Sequence, residues 1–468
     1  LKPFCFNRAL MMPQEPLGKM GGGNRLMRNV VIATCALDAA DKYLLGSVYK
    51  ALALALSVGP RELGALSFAQ NMALSAALPV WGSLVGTYDA KNLMSTGCVL
   101  WAGATFLLAC SSHFWVHFLL RLVNGVALAV MKPVGQAIIC EVVPEAERGW
   151  AFGLIASVSS MAMMLIGFMA TALSTEVHLG LHGWRWAHLT ISMMSYAMWG
   201  LIRSMKLSNL GASLETQSSK AWLAEQRRVV IAVLRKPSFL VMVAQGVTGG
   251  IPWNAFSFLT YYFQVSGYSD LQAASIMSYG GAGSIFGTLL GGWLGDHLGR
   301  MWPDAGRIVV AQLSVLLGIL SFVAMMYIST TPGQPGLLTA TFFLFSMSAC
   351  WAPSAALRPI CGEIFVDNKD RAQVIALWIA LEGLVSSALG APLVGVLSEA
   401  FGFALSPGQV NAGVVDEKSV VALRHALLGV VILPFLACLL AWFPMYWTYP
   451  RDRVHSCTPL TADSKQGK

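Results

Sequence analysis

Charge is scarce in this sequence. Of its 468 residues only 12% are Asp, Glu, Lys or Arg, against roughly 25% in an ordinary water-soluble domain. A chain of this size with so little charge cannot cover a water-exposed surface, which argues against a soluble enzyme or a free binding module. Cysteine pairing is a second absence. The nine cysteines are Cys5, Cys35, Cys98, Cys110, Cys140, Cys350, Cys361, Cys438 and Cys457, and none forms a C-x-x-C pair. Most fall inside apolar runs, where cysteine acts as a small hydrophobe. Neither a disulfide framework nor a metal cluster follows, and no cofactor is expected. The one-turn pairs His113/His117 and His178/His182 read as interfacial residues. A phosphate loop of the Walker type is missing, which argues against a nucleotide-driven pump. The net charge of +8 does not indicate nucleic acid, because the cations sit in short connections between apolar runs.

What the chain does have is hydrophobicity, at 56% of residues and a mean hydropathy of +0.62. Runs of about 20 apolar residues recur along it, each long enough to cross a hydrocarbon core of about 30 Å. They place helices near 29–57, 64–86, 92–110, 114–140, 150–173 and 185–204, then 237–264, 271–295, 306–328, 336–362, 372–401 and 420–447. The expected fold is an all-α membrane protein with twelve transmembrane helices in two pseudo-symmetric six-helix bundles. The bundles are expected at 29–204 and 237–447, with tails at 1–28 and 448–468 and a hydrophilic central loop at 205–236. Within that loop, 221–234 is expected to form an amphipathic surface helix. The first apolar run continues past signal-peptide length and reads as a retained helix. Of the 31 Lys and Arg, 22 fall in one set of tails and loops and 4 in the other. That asymmetry predicts two cytoplasmic termini.

The halves repeat one another. Trp81-Gly82-Ser83-Leu84-Val85-Gly86-Thr87-Tyr88-Asp89 follows the second run, and Gly291-Gly292-Trp293-Leu294-Gly295-Asp296-His297-Leu298-Gly299-Arg300 follows the eighth. A second pair of motifs follows the fourth and tenth runs. It comprises Glu141 with Arg148, and Glu363 with Arg371. The segment from Gly291 to Arg300 resembles the signature loop of the major facilitator superfamily. Asp296 is suited to pair with a cation or cap a helix, and Arg300 to present a guanidinium at the cytoplasmic face. Together they are expected to latch an inner gate. The first-half copy carries its acid two places later, at Asp89. Gly283, Gly287, Gly291 and Gly295 form a ladder at four-residue spacing, the pattern of closely packed membrane helices.

Charges inside apolar runs cost about 2.5–3.5 kcal/mol each on insertion scales, so they mark cavities or partners. The first run carries Asp38, Asp41, Lys42 and Tyr49, with Asp38 and Lys42 one turn apart and able to pair. The fourth carries Arg121 and Lys132, the tenth Arg358 and the eleventh Glu382. The seventh contributes Gln245, Trp253 and Asn254 beside Pro252, which permits a bend. Asp41, Lys132, Arg358, Glu382, Gln245 and Asn254 are expected around one central cavity.

The likeness extends along the chain. The segments Asp41-x-x-Leu44-Leu45-x-x-Val48-Tyr49-Lys50, Arg121-x-x-Asn124-Gly125 and Arg148-Gly149-x-Ala151-Phe152-Gly153 carry it in the first half. In the second half it rests on Ala244-Gln245-Gly246-Val247-Thr248-Gly249-x-x-Pro252-Trp253, Gly306-Arg307-Ile308 and Tyr449-Pro450-Arg451-Asp452-Arg453. Over 38–453 the chain resembles an uncharacterised facilitator family of plants, algae and protists, distantly similar to spinster-like transporters. Lys42 and Leu357-Arg358 depart from that family's pattern at cavity positions. A monomer in the lipid bilayer is expected, without a nucleic-acid partner. The resemblance implies transmembrane transport and names no cargo; the expected function is alternating-access transport of a small-molecule substrate, with an organic anion or an amphipathic, lipid-like metabolite as candidate cargo. Protons are the candidate coupling ion and Asp41 the candidate carrier. The rival expectation is a non-transporting receptor or scaffold on the same fold.

Overall fold

The computed structural model describes residues 22–85, 88–144, 147–205, 231, 235–329, 334–364 and 368–455, with the backbone alone at 149, 368–376 and 454–455. Gly86 and the expected surface helix over 221–234 lie outside the described residues, apart from 231, and Arg371 is described only in its backbone.

Twelve helical passes follow one another among the described residues. In the first bundle α1 is Gly22–Ser47 continued by Tyr49–Leu56, α2 is Pro60–Val85, and α3 is Ala90–Cys110. The pass α4 joins Phe114–Leu128 to Met131–Val142, α5 is Arg148–Leu173, and α6 is Gly183–Ser204. In the second bundle α7 joins Pro237–Ala255 through a 3-10 turn to Leu259–Val265, α8 is Asp270–Met301, and α9 is Gly306–Ile328. The pass α10 runs Pro335–Ala349, a π-helical turn at Pro353–Leu357, then Arg358–Ile364. Next, α11 joins Asn368–Leu389 to Ala391–Ala400, and α12 is Glu417–Ala441. A short hairpin, β1 (Val177–His178) with β2 (Leu181–His182), links α5 to α6. A final helix, α13 (Met445–His455), lies beyond α12.

Eight passes are long and apolar enough to cross a membrane by length and composition alone: α2 to α5 and α9 to α12. The other four carry charge, repeated glycine or a break. The first helix starts at Gly22, seven residues before the sequence expectation, because the basic stretch before the apolar run also suits helix. The breaks are local. Pro252 lies in α7 four residues before its 3-10 turn, and the π-helical turn of α10 ends immediately before Arg358. Such insertions into a helix re-aim the side chains that follow.

Matching pairs pack in each bundle: α1 on α5 and α7 on α11, α2 on α4 and α8 on α10, α3 on α6 and α9 on α12. The bundles meet where α2 packs on α11 and where α5 packs on α8. That is the parallel six-helix repeat expected from the motifs. The glycine ladder of α8 explains one of these pairs. Gly283, Gly287, Gly291 and Gly295 are buried, and a Cβ on Gly287 would stand 2.1 Å from the Met347 carbonyl oxygen on α10. Backbone-to-backbone packing replaces side-chain interdigitation there.

The two ends of the molecule can now be named. The terminal face holds the start of α1, the α2–α3, α4–α5, α8–α9 and α10–α11 connections, and α13. The opposite face holds the α1–α2, α7–α8 and α11–α12 connections and the β1–β2 hairpin.

Candidate functional site: a central cavity and a buried polar network

A cavity of about 820 Å³ lies between the bundles. Lys42, Ser67, Gln70 and Asn71 line it from the first bundle, and Trp253, Asn254, Ser346 and Arg358 from the second. Met163, Met164, Met277, Phe256, Phe342 and Phe345 give the wall apolar, soft surface, interspersed with hydroxyls such as Ser157, Ser160, Ser284 and Thr288. The lining runs along α5 as far as Gly153 and along α8 as far as Leu289, toward the terminal face.

Toward the opposite face the halves are joined. Lys50 Nζ lies 2.8 Å from Asp270 Oδ1. The Thr175 hydroxyl donates to Asp270 Oδ2 at 2.7 Å, and Gln264 Nε2 donates to Oδ1 at 2.8 Å. The Arg61 backbone N–H donates to Glu399 Oε1 at 3.1 Å. One layer deeper, Asn71 Nδ2 donates to Asn254 Oδ1 at 3.1 Å, and Asn254 Nδ2 donates to Ser386 at 3.0 Å. Between these polar ties the backbones touch, so that a Cβ on Gly64 would stand 2.7 Å from the Ala391 carbonyl oxygen. The cavity is therefore closed toward the opposite face and open toward the terminal face.

Charge in and beside the cavity is uneven. Asp38 and Lys42 pair at 2.6 Å, as their spacing predicts. Lys132 is exposed and within electrostatic reach of Asp38, Lys42, Glu382 and Arg358. Glu382 packs against Gly246 and Gly250 of α7. Among the described residues Lys132, Arg358 and Glu382 have no ion-pair partner within 4.0 Å. With the Asp38–Lys42 pair cancelling, Arg358 is the remaining cation among the described residues of the cavity lining.

Of the six residues expected around the cavity, Asn254 and Arg358 line it, whereas Asp41, Gln245, Lys132 and Glu382 do not. Asp41 is fully buried inside the first bundle. It accepts from Thr105 Oγ1 at 2.7 Å and from Asn124 Nδ2 at 3.4 Å. Gln70 Nε2 donates to Asn124 Oδ1 at 3.0 Å, and Arg121 Nη1 donates to Gln70 Oε1 at 3.3 Å. Arg121 Nη2 lies 2.9 Å from His188 Nε2, and His188 Nδ1 lies 2.8 Å from the Trp184 carbonyl. A guanidinium has no acceptor capacity, so Nε2 accepts and Nδ1–H donates, which fixes His188 as neutral. Gln245 is likewise buried and donates to the Met242 carbonyl at 2.8 Å. Tyr49 is buried, its hydroxyl donating to the Leu63 carbonyl at 3.1 Å and touching Ser67. Of the seventh-pass candidates, Trp253 and Asn254 reach the cavity.

The terminal-face motifs form a separate cluster. Asp296 pairs with Arg307 at 3.0 Å, while Arg300 borders the same small pocket of about 270 Å³. The cation expected opposite Asp296 is thus Arg307, which α9 presents one residue after its start. Glu363 lies 3.5 Å from both Arg307 and Arg453 and accepts from the Tyr449 hydroxyl. Burial pushes the Tyr449 hydroxyl well above its ordinary pKa, so it stays protonated and donates. Gly299 borders this pocket, and Gly295 packs against Ala355. In the first bundle Asp89 caps α3 at the Lys91 N–H, 3.1 Å away. Arg148 donates to the Cys140 and Val143 carbonyls at 2.6 and 3.2 Å. Glu141 is exposed, and Gly82 has only Pro133 near it.

Comparison with known proteins gives the family. The Major Facilitator Superfamily model matches residues 31–365. The chain is 22% identical to an uncharacterised MFS-type transporter, YwfA, of Bacillus subtilis (strain 168), over 70% of this chain and 74% of that one. It is 22% identical to Protein spinster of Drosophila melanogaster, over 81% of this chain and 63% of that protein. Among solved structures, a bacterial homolog of the human lysosomal transporter Spinster, inward-facing and unoccupied, superposes with a TM-score of 0.76. That superposition covers 92% of this chain and 98% of the other, at 17% identity. A D-xylose–proton symporter superposes with a TM-score of 0.67 at 14% identity, covering 92% of this chain and 98% of that one. The chain belongs to the Major Facilitator Superfamily and is a multi-pass transmembrane transporter, not an enzyme.

Proposed function

We propose that this transporter moves a small organic anion with an apolar body by alternating access, its termini lying in the cytoplasm. The observation that carries the reading is the cavity itself. It lies between two pseudo-symmetric bundles, is closed toward one face, and has in its wall Arg358, which has no ion-pair partner within 4.0 Å among the described residues. An unpaired cation beside a low-dielectric cavity invites an anionic group. Of the two cations among the described residues lining the cavity, Lys42 is paired with Asp38, so Arg358 leaves one positive charge in excess, which suits a single negative charge on the cargo. Phe256, Phe342, Phe345 and Trp253 offer an aromatic wall for the apolar remainder. The 22-to-4 division of Lys and Arg supports a cytoplasmic terminal face, so the cavity is open inward.

Protons are the proposed coupling ion, with Asp41 as the first candidate carrier and Asp38 and Glu382 as the next. The test is an uptake screen of radiolabelled organic anions in reconstituted vesicles, with and without an imposed pH gradient. Saturable accumulation that Arg358→Ala removes is the expected result. Binding without flux, for every anion tried, would favour a receptor on the same fold. Flux that ignores the pH gradient would leave a facilitator and remove the proton.

A further inference from the structure

Two opposite charges, both fully buried, are held apart in the first bundle. Asp41 on α1 and Arg121 on α4 have no exposed surface, yet no Arg121 nitrogen lies within 4.0 Å of an Asp41 oxygen. Amides fill the gap. Gln70 takes Arg121 on its oxygen and gives its N–H to Asn124, which reaches Asp41. The arrangement is incomplete at the guanidinium. Nη1 and Nη2 are occupied by Gln70 and His188, but the buried Arg121 Nε has no partner. A buried donor left unpaired is costly, and an ion pair of this depth stabilises most when its members meet directly. In its present position Arg121 is short of one acceptor.

Gln70 is the member of this network that lines the cavity. Its neighbour on α2, Asn71, carries the hydrogen bond to Asn254 in the other bundle. One turn of α2 is therefore tied to the buried arginine, to the other half and to the space where cargo sits. We infer that Gln70 is a positioning residue that holds Arg121 away from Asp41 while the opposite face is closed. Cargo that draws the Gln70 amide into the cavity releases Arg121 to pair with Asp41. Losing that tie shifts the same turn of α2, weakens the Asn71–Asn254 bond, and lets the opposite face part. The inference rests on the alternating-access reading and names the residue through which cargo acts.

The experiment measures populations, so it needs no identified cargo. In a background without native cysteines, spin labels on Leu179→Cys and Val415→Cys report the opposite-face separation in lipid nanodiscs. Both positions are exposed, at 92% and 52%. Labels on Tyr88→Cys and Trp302→Cys report the terminal face. Gln70→Met keeps the volume and removes both polar ties. It should raise the ratio of open to closed opposite faces about tenfold, the effect of losing one hydrogen bond to a charged group. Gln70→Glu keeps an oxygen for Arg121 and should leave the opposite face closed. In an Asp41→Asn background, Gln70→Met should have no further effect, because released Arg121 has no carboxylate to join.

An equal effect of Gln70→Met in both backgrounds would mean ordinary packing and would overturn the inference. So would no effect in either. If Gln70→Met does not fold, Gln70→Asn, which keeps the amide but withdraws it by one methylene, carries the same comparison. A wild type with a single separation at both faces, under every condition, would overturn alternating access and this inference with it. A two-state wild type that fails the double-mutant comparison would overturn the inference alone.

Discussion

Replacing Asp270 by Asn removes one charge from the closed opposite face, and its effect can be sized from the structure. Opening that face must break the Lys50–Asp270 contact at 2.8 Å and the Thr175–Asp270 bond at 2.7 Å. Gln264 travels with Asp270, so its bond survives. The Lys50 and Asp270 side chains are 11% and 14% exposed. An exposed pair contributes about 0–1 kcal/mol, whereas a charge-assisted hydrogen bond shielded from water contributes about 1.5–3 kcal/mol. Asparagine keeps the size and one acceptor and loses the charge, which costs about 2 kcal/mol here. The ratio of open to closed opposite faces should then rise about 30-fold. Spin-label distances across that face, in nanodiscs, read the ratio. Lys50→Met should produce a similar rise, and the double variant should add little to either single change, since the partners share one interaction. An unchanged ratio in Asp270→Asn, or fully additive effects in the double variant, would refute the assignment of this pair as the closing contact.

The terminal-face pair should behave differently. The Asp296 side chain is 59% exposed beside Arg307, so Asp296→Asn should cost no more than about 1 kcal/mol of stability while slowing turnover; thermal unfolding and vesicle flux measured on the same preparation separate the two. Gly287→Val should lower thermal stability by about 3 kcal/mol, because even its Cβ meets the Met347 carbonyl, whereas Gly200→Val, with nothing within 4 Å, should be neutral in the same melting assay. His188→Leu should reduce folded yield in the membrane by leaving Arg121 short of an acceptor, a loss of about 1.5–3 kcal/mol, and normal yield and melting would show that His188 does not hold the guanidinium.

The fold was legible because its signals are local and repeated. The apolar runs and the two copies of each motif require no knowledge of what touches what. The Asp38–Lys42 pair was legible for the same reason, since four residues of helix bring the partners together. Asp41 shows where such reasoning stops. It stands three residues from Asp38, but the cavity and the bundle interior lie at neighbouring angles around α1. Both directions accept a polar group, so sequence alone could not choose between them. Gln70, Thr105 and His188 gave no warning, because one uncharged polar side chain among apolar neighbours costs little on insertion. Arg307 and Arg453 stand at helix ends, where they look like the basic residues that orient any membrane protein. Lys50 and Asp270 are 220 residues apart, and nothing in either segment refers to the other.

The claim that one cavity is reached alternately from both faces has a direct measurement. Ser160 lines the cavity from α5. Ser160→Cys, in a background without native cysteines and sealed in oriented vesicles, can be challenged with a membrane-impermeant thiol reagent from each side in turn. The account predicts labelling from the terminal face in the wild-type arrangement. It predicts that labelling from the opposite side appears once Asp270→Asn is added. Labelling confined to the terminal face, with Asp270→Asn and through every substrate and pH condition, would contradict alternating access.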